Sequence, residues 1–172
     1  MLIKSYGQFW NPEIVEWGKP GRGNRGQLLG KVAIGTRSVE TDVWEQCGIY
    51  TLHDDFRLVY VGKTEDQDLG KRLRDHLTDR FAGRWDMFSW YGLKQVNRTG
   101  KLRPHGQRQV SPEIIIGTLE SLAILVSDPP LNRKREKLPG AKSVEQVKCP
   151  HPKTVRHYLE QILQRLPEEP GA

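Results

Sequence analysis

Two short apolar runs separated by a polar turn form a pattern typical of a β-hairpin. Residues 48–52 and 58–62 are rich in β-branched and aromatic side chains, and the five residues 53–57 between them are mainly polar. Runs of this length around a short loop predict two antiparallel strands. If the loop is symmetric about Asp55, Tyr50 lies directly opposite Tyr60, with the two Cβ atoms about 5 Å apart.

This tyrosine pair has two interpretations. Aromatic residues are ordinary strand content, so the pair alone favours simple cross-strand packing. The alternative is functional, because a rigid hairpin that holds two phenols together can position a general base beside a phosphate ligand. The rest of the chain has to decide between them.

A short amphipathic helix is predicted directly after the hairpin. Its inner stripe consists of leucines at a spacing of four, Leu69, Leu73 and Leu77. Asp68 is suited to cap its N-terminus. Arg72 and His76 are also four residues apart and therefore share one face of this helix. That face is either a solvated charged flank or part of a site.

A second helix is predicted to begin at Ser111-Pro112, a strong start signal. Residues 114–126 are apolar nearly all round, which predicts a buried helix. Glu120 is its only charge after the first turn. Because a buried carboxylate costs several kcal/mol unless it is partnered, Glu120 should either pair with an arginine or bind a metal ion.

Two further elements complete the predicted architecture. Residues 88–93 read as a third strand, and a last helix is expected over about 153–166. That helix has an apolar stripe, formed by Val155, Tyr158, Leu159, Ile162 and Leu166. We expect it to pack on the domain or, as the alternative, on a second subunit.

Composition narrows the class of protein. The chain has 172 residues, enough for one domain with a proper core, and a net charge of +6 that favours a polyanionic partner. Cys47 and Cys149 have no metal or redox spacing, which favours a reducing compartment. With no signal-like start and no apolar run long enough to span a bilayer, we expect a cytoplasmic protein without a membrane anchor.

The positive charge is unevenly distributed. Residues 94–108 contain no acid, and we expect this basic loop to emerge beside the active centre. It is either a solvated excursion or a DNA contact, for which the candidates are Arg98, Lys101 and Arg103. Arg22 and Arg25 lie in a Gly/Arg loop that is either a surface turn or a second contact with the nucleic-acid backbone.

Residues 47–132 resemble the GIY-YIG nuclease family. Gly48-Ile49-Tyr50 and Tyr60-Val61-Gly62 match its two tripeptides, with Val61 in place of an isoleucine. The family's other positions follow in its order, occupied by Arg72, His76, Glu120 and Asn132, and Lys63 stands where many members have lysine. Any one element is weak evidence, but the ordered set is strong.

The resemblance and the elements above together imply an α/β fold. It has a small mixed, mainly antiparallel three-stranded sheet flanked by helices. Residues 1–46 would be an N-terminal extension packed on the module at 47–132, and residues 133–172 would form a basic turn and a C-terminal helix, all within one compact domain.

The resemblance also implies a metal-dependent DNA endonuclease. Glu120 would hold one divalent cation, Mg²⁺ or Mn²⁺. Tyr50 would be the general base. Lys63 and the metal could each stabilise its phenolate, and His76 could take its proton. The phosphate side of the site would be formed by Tyr60 and Arg72, supported by Asn132.

The biological process stays open between restriction or phage defence, mobile elements and repair. Two alternatives to a stand-alone nuclease remain. One is a non-catalytic DNA-binding module, and the other is a nuclease subunit that is active only with a partner protein. A homodimer is also compatible with the sequence.

Overall fold

Strands dominate the part of the chain that the computed structural model describes, which is residues 1–19, 25–65, 67–104, 110–127 and 138–148. The strands are β1 (Ser5–Trp10), β2 (Glu16–Gly18), β3 (Arg25–Gln27), β4 (Leu29–Ile34), β5 (Arg37–Asp42), β6 (Gly48–Asp54), β7 (Arg57–Thr64), β8 (Met87–Gly92), β9 (Gln95–Val96), β10 (Leu102–Arg103) and β11 (Lys142–Gln146). The helices are α1 (Leu69–Asp75) and α2 (Pro112–Ser127).

The main sheet is larger than predicted. Within the described ranges, seven strands form one mixed sheet in the order β5-β4-β11-β1-β8-β6-β7. The prediction of a small three-stranded sheet is therefore wrong. The three expected strands are β6, β7 and β8, but they form only one side of the sheet. An unpaired edge on β8 would leave backbone donors and acceptors without partners, and β1 fills that edge.

The first 46 residues, expected as an extension packed on the module, supply three strands of this same sheet. β1 lies inside it, antiparallel to β8 and parallel to β11. β4 and β5 form a hairpin at the far edge, with Gly35 at a φ of 61° in its turn. The N-terminal segment is therefore part of the sheet that carries the predicted module.

Each face of the sheet carries its own hydrophobic cluster. Tyr50 and Trp90 are register partners on one face, which we call the Tyr50 face, where they pack with Leu69 and Leu73 of α1. The neighbouring residues Ile49 and Tyr91 are register partners on the opposite face, the Tyr91 face. There α2 packs through Leu122 against Ile3, Tyr91 and Leu138. The two helices therefore lie on different faces.

The expectation that α2 is buried is wrong. Only Thr118, Ser121 and Leu122 of this helix are buried, whereas Ile116 is 64 % and Leu119 61 % exposed. An apolar helix packed on one side of a sheet leaves its outer flank uncovered by the described residues. Neither helix in these ranges has the length and apolar character of a membrane-spanning segment.

Several predicted features fall outside the described residues. These are the basic turn at 133–137, the final helix at 153–166, Asn132 and Arg22.

Candidate functional site

The hairpin that carries the two tyrosines has a tighter turn than predicted. Asp55 and Phe56 form a two-residue turn with φ values of 48° and 64°, the positive pair that a type I′ turn requires. An irregularity in register between Leu52 and His53 accompanies this turn. Together they change which residues of the two strands face each other.

Tyr50 and Tyr60 are diagonal neighbours and not direct partners. Tyr50 pairs with Gly62, and Tyr60 pairs with Leu52, so the predicted register is wrong by two residues. Because strand side chains alternate with a period of two, both tyrosines still lie on the Tyr50 face. Their ring centroids are 6.1 Å apart.

Gly62 makes room for the Tyr50 ring. A Cβ atom built on Gly62 would lie 2.3 Å from both Cζ and Oη of Tyr50. Any larger residue would push the phenol away. The glycine of the second tripeptide therefore lets the Tyr50 side chain lie across the neighbouring strand toward α1.

Two side chains at the C-terminal end of α1 contact the Tyr50 hydroxyl, one from within the helix and one from the residue that follows it. Nε2 of His76 lies 2.7 Å from Tyr50 Oη, and Nε of Arg72 donates to the same oxygen at 3.3 Å. Tyr50 and His76 have no exposed surface, whereas Arg72 is partly exposed. The predicted shared face of Arg72 and His76 is therefore the face that turns toward Tyr50.

His76 has a second partner that the sequence analysis missed. Its Nδ1 lies 2.6 Å from Oδ2 of Asp79, and Oδ1 of the same carboxylate accepts the backbone amide of Phe81 at 2.8 Å. Asp79 follows His76 by three residues, and this short spacing of histidine and acid is the signal that could have revealed it. The polar cluster is thus a chain of contacts from Arg72 through Tyr50 and His76 to Asp79.

The protonation of this cluster follows from its surroundings. Burial raises the pKa of Tyr50 from its usual value near 10 to about 12, and the adjacent Arg72 guanidinium only partly opposes this effect. Partial burial raises the pKa of Asp79, but hydrogen bonds from the Phe81 amide and His76 outweigh it and leave that pKa below its usual value. At neutral pH the phenol is therefore protonated and the carboxylate ionised.

Aromatic rings line the partly exposed side of the cluster. The Tyr60 ring lies 4.6 Å from that of Phe81 and 5.5 Å from that of His76, measured between centroids. The Arg80 guanidinium lies over Phe81 at 4.8 Å. Tyr60, Phe81 and Arg72 are partly exposed and Asp79 is exposed, so these four residues form the part of the cluster that reaches the surface.

Lys63 is not brought to the Tyr50 hydroxyl. It pairs in register with Ile49, whose side chain packs in the cluster of the Tyr91 face. Its exposed amino group makes an ion pair of 2.7 Å with Glu65. The structure therefore does not support the expectation that Lys63 stabilises a Tyr50 phenolate.

Glu120 is also separate from the tyrosine cluster. It is exposed, and α2 packs on the Tyr91 face. Among the described residues, no group of three or more histidine, cysteine or acidic side chains is arranged to hold a metal ion. Glu120 is therefore not brought to the Tyr50 hydroxyl, and the supporting Asn132 lies outside the described ranges. A cation held by this single carboxylate and water stays a prediction.

The predicted DNA contacts do not surround the tyrosines. Arg98, Lys101 and Arg103 are exposed in the segment containing β9 and β10. Gly100 of this basic hairpin packs against the backbone of Glu40 in β5, at the edge of the sheet opposite β7. For the described residues of this loop, 94–104, the expectation that it emerges beside the active centre is therefore wrong.

Arg25 is engaged by acidic partners. Its guanidinium makes an ion pair of 2.7 Å with Asp42 and a second ion pair with Glu45. These two carboxylates compete with any phosphate for the same donors. The contact predicted for Arg25 thus has no support in this geometry.

Comparison of the chain with family models, with curated proteins and with solved structures gives no match. The resemblance to the GIY-YIG nucleases therefore rests on the ordered residues of the chain itself.

Proposed function

We propose that the protein hydrolyses phosphodiester bonds of DNA and that the reacting centre is the cluster of Tyr50, His76, Arg72 and Tyr60. One observation carries this proposal, the Tyr50 hydroxyl held between an imidazole nitrogen at 2.7 Å and a guanidinium at 3.3 Å. The imidazole can accept the proton of the phenol, and the guanidinium can stabilise the phenolate that remains. Such an arrangement suits general-base catalysis.

The proposed chemistry gives each polar group of the cluster a role. The O–H bond of Tyr50 breaks, a new N–H bond forms at His76 Nε2, and Arg72 stabilises the phenolate. The phenolate then accepts a proton from the water that attacks phosphorus. As the oxygen of this water bonds to phosphorus, the bond from phosphorus to the leaving oxygen breaks, and the leaving oxygen takes a proton from solvent. His76 then releases its extra proton to solvent, which restores the neutral ring. The planar guanidinium of Arg72 and the hydroxyl of Tyr60, both partly exposed, bind the phosphoryl oxygens as charge develops on them.

A divalent cation, Mg²⁺ or Mn²⁺, remains implied by the resemblance only. When bound, such an ion polarises the scissile phosphate. Glu120 lies on the other face from Tyr50, so no step of the proposed chemistry depends on it.

Burial favours a second candidate function. Tyr50 and His76 have no exposed surface, and a fully satisfied buried polar network also serves to fix a fold. In this alternative the protein binds DNA without cutting it or cuts only when a partner chain completes the site.

We also propose a cytoplasmic location, supported by two cysteines without disulfide-framework spacing.

Cleavage of supercoiled plasmid by the isolated protein, with Mg²⁺, Mn²⁺ or a chelator, tests the proposal. Tyr50→Phe removes only the hydroxyl, so cleavage should fall at least about 10²-fold with DNA affinity retained. Tyr91→Phe is the matched control, because Tyr91 is a buried tyrosine on the opposite face whose hydroxyl bonds to Gln8. It should cleave normally.

The outcomes separate the two candidates. Equal cleavage by Tyr50→Phe and the wild-type protein would contradict the assignment of the site. Wild-type protein that binds DNA but cleaves it under none of these conditions would favour the binding or partner-dependent alternative.

A further inference from the structure

We infer that Asp79 is a positioning residue that sets which ring nitrogen of His76 carries the proton. It thereby enables Tyr50 to transfer its hydroxyl proton to His76. The effect on cleavage rests on the proposed function. The effect on His76 does not, because it can be measured without DNA.

Both oxygens of the Asp79 carboxylate are in use. Oδ2 contacts Nδ1 of His76 at 2.6 Å, and Oδ1 accepts the Phe81 amide at 2.8 Å. The second bond fixes the carboxylate relative to the backbone and holds the Phe81 ring 5.1 Å from that of His76. Asp79 therefore has one orientation in which both donors are satisfied.

This orientation determines the tautomer of His76. An ionised carboxylate only accepts hydrogen bonds, so the His76 nitrogen that faces it must carry a proton. In the neutral ring, Nε2 is then the bare nitrogen, and it faces the Tyr50 hydroxyl at 2.7 Å. The phenol donates to His76, and Arg72 donates to the phenol.

The same geometry favours proton transfer. When the Tyr50 proton moves to Nε2, the ring becomes an imidazolium that Asp79 stabilises at Nδ1, while Arg72 stabilises the phenolate. Tyr60 is the remaining titratable group against the ring in the described ranges. Without Asp79, nothing in this contact set holds a proton on Nδ1, and a ring protonated on Nε2 would donate to the phenol and block the transfer.

Two substitutions separate the contributions of Asp79. Asp79→Ala removes both hydrogen bonds. Asp79→Asn keeps the shape but replaces one of the two carboxylate oxygens by an NH2 group that only donates, so it cannot accept at both positions. Asp75→Asn is the matched control, because Asp75 is an acid near the end of α1 that bonds to Gln67 instead of a histidine.

The test is ¹⁵N NMR of the histidine rings in the full-length protein, assigned with His76→Gln and recorded where the His76 ring is neutral. The wild-type protein and Asp75→Asn should carry the proton on Nδ1. Asp79→Ala should shift it to Nε2, and Asp79→Asn should give the same shift or a mixture. Plasmid cleavage by Asp79→Ala should fall at least about tenfold without loss of DNA affinity.

Each outcome of these measurements tests either the role of Asp79 or the proposed function. If His76 of the wild-type protein carries its proton on Nε2, the inference is wrong. This outcome needs no variant, so it can be observed even if Asp79→Ala misfolds. An unchanged tautomer in a folded Asp79→Ala protein would overturn it as well. If the tautomer shifts as expected but the wild-type protein cleaves no DNA, the proposed function fails and the positioning role of Asp79 stands.

Discussion

The absence of one side chain is what gives the Tyr50 hydroxyl its partners. The phenol lies over Gly62, and a Cβ atom there would sit 2.3 Å from the hydroxyl oxygen. Tyr50 is then free to reach His76 and Arg72 across the strand. Gly62 thus contributes to the site by close approach, without a special backbone conformation.

Gly62→Ala should therefore damage both the fold and the site. Overpacking against a buried ring typically costs about 1–3 kcal/mol of unfolding free energy, and the displaced phenol should lose its contact with His76. Gly117→Ala is the control, because a Cβ atom in this helical position meets nothing within 4 Å. It should stabilise the protein by about 0.5–1 kcal/mol.

Urea unfolding measures the free energy of unfolding of both variants. If Gly62→Ala is as stable as the wild-type protein and retains the His76 ring signals, Tyr50 does not lie over Gly62 and the site is arranged differently.

At the residue scale, there is a physical reason why the sequence predicts some contacts of the site and not others. The spacing of Arg72 and His76 predicts a common face, and the structure brings both to Tyr50. The exact hairpin register was not predictable, because Asp55-Phe56 lacks the glycine or asparagine typical of a type I′ turn. Asp79 was missed because it lies just beyond the end of α1, outside the helical pattern.

Among the elements, the two helices differ in how clearly the sequence defines their buried side. The leucine spacing of α1 selects one face, and Leu69 and Leu73 are indeed buried. The start of α2 was predicted from Ser111-Pro112, but its apolar residues occur all round the helix. Nothing in such a pattern identifies the side that meets the sheet, so only tertiary packing could define it.

A pair of leucines in α2 tests this assignment. Leu122 is 8 % exposed against the Tyr91 face, and Leu119 is 61 % exposed. Leu122→Ala should cost about 2–5 kcal/mol of unfolding free energy, as buried leucine truncations do. Leu119→Lys should change it by no more than about 0.5 kcal/mol, the usual range for surface substitutions.

Denaturant unfolding and the oligomeric state should be measured together for both proteins. A large loss of stability in Leu119→Lys would contradict the exposed flank. It would mean that another part of the chain or a second copy covers this side of α2.

At the scale of the whole molecule, the seven-stranded sheet depends on pairings between distant parts of the chain. β1 bonds to β8 and β11, so Ser5 has Gly92 on one side and Lys142 on the other. Local patterns predict strands, but they contain no information on partners so far away in sequence. This is why a three-stranded sheet was predicted where the described residues form a seven-stranded one.

The sheet also determines how far apart the charged and tyrosine regions lie. Seven strands spaced about 4.8 Å apart span about 29 Å. The basic hairpin lies at the β5 edge, and the tyrosines lie at the β7 end. Both pack on the cluster of the Tyr50 face. One turn of duplex DNA is about 34 Å long, so a duplex across this face could contact both regions at once.

Replacing Arg98, Lys101 and Arg103 together by glutamine tests that path, because all three are exposed and their loss should leave folding unchanged. If each meets a phosphate, the slope of log affinity against log salt should become shallower by about 0.9 per contact, close to three in total. Arg25→Gln is the control, since Asp42 and Glu45 already engage its charge, and its slope should match the wild type. An unchanged slope in the triple variant would place the DNA away from the basic hairpin. The net charge of +6 would then have to act through other cations, and Arg72 and Arg80 beside the tyrosines would be the first to test.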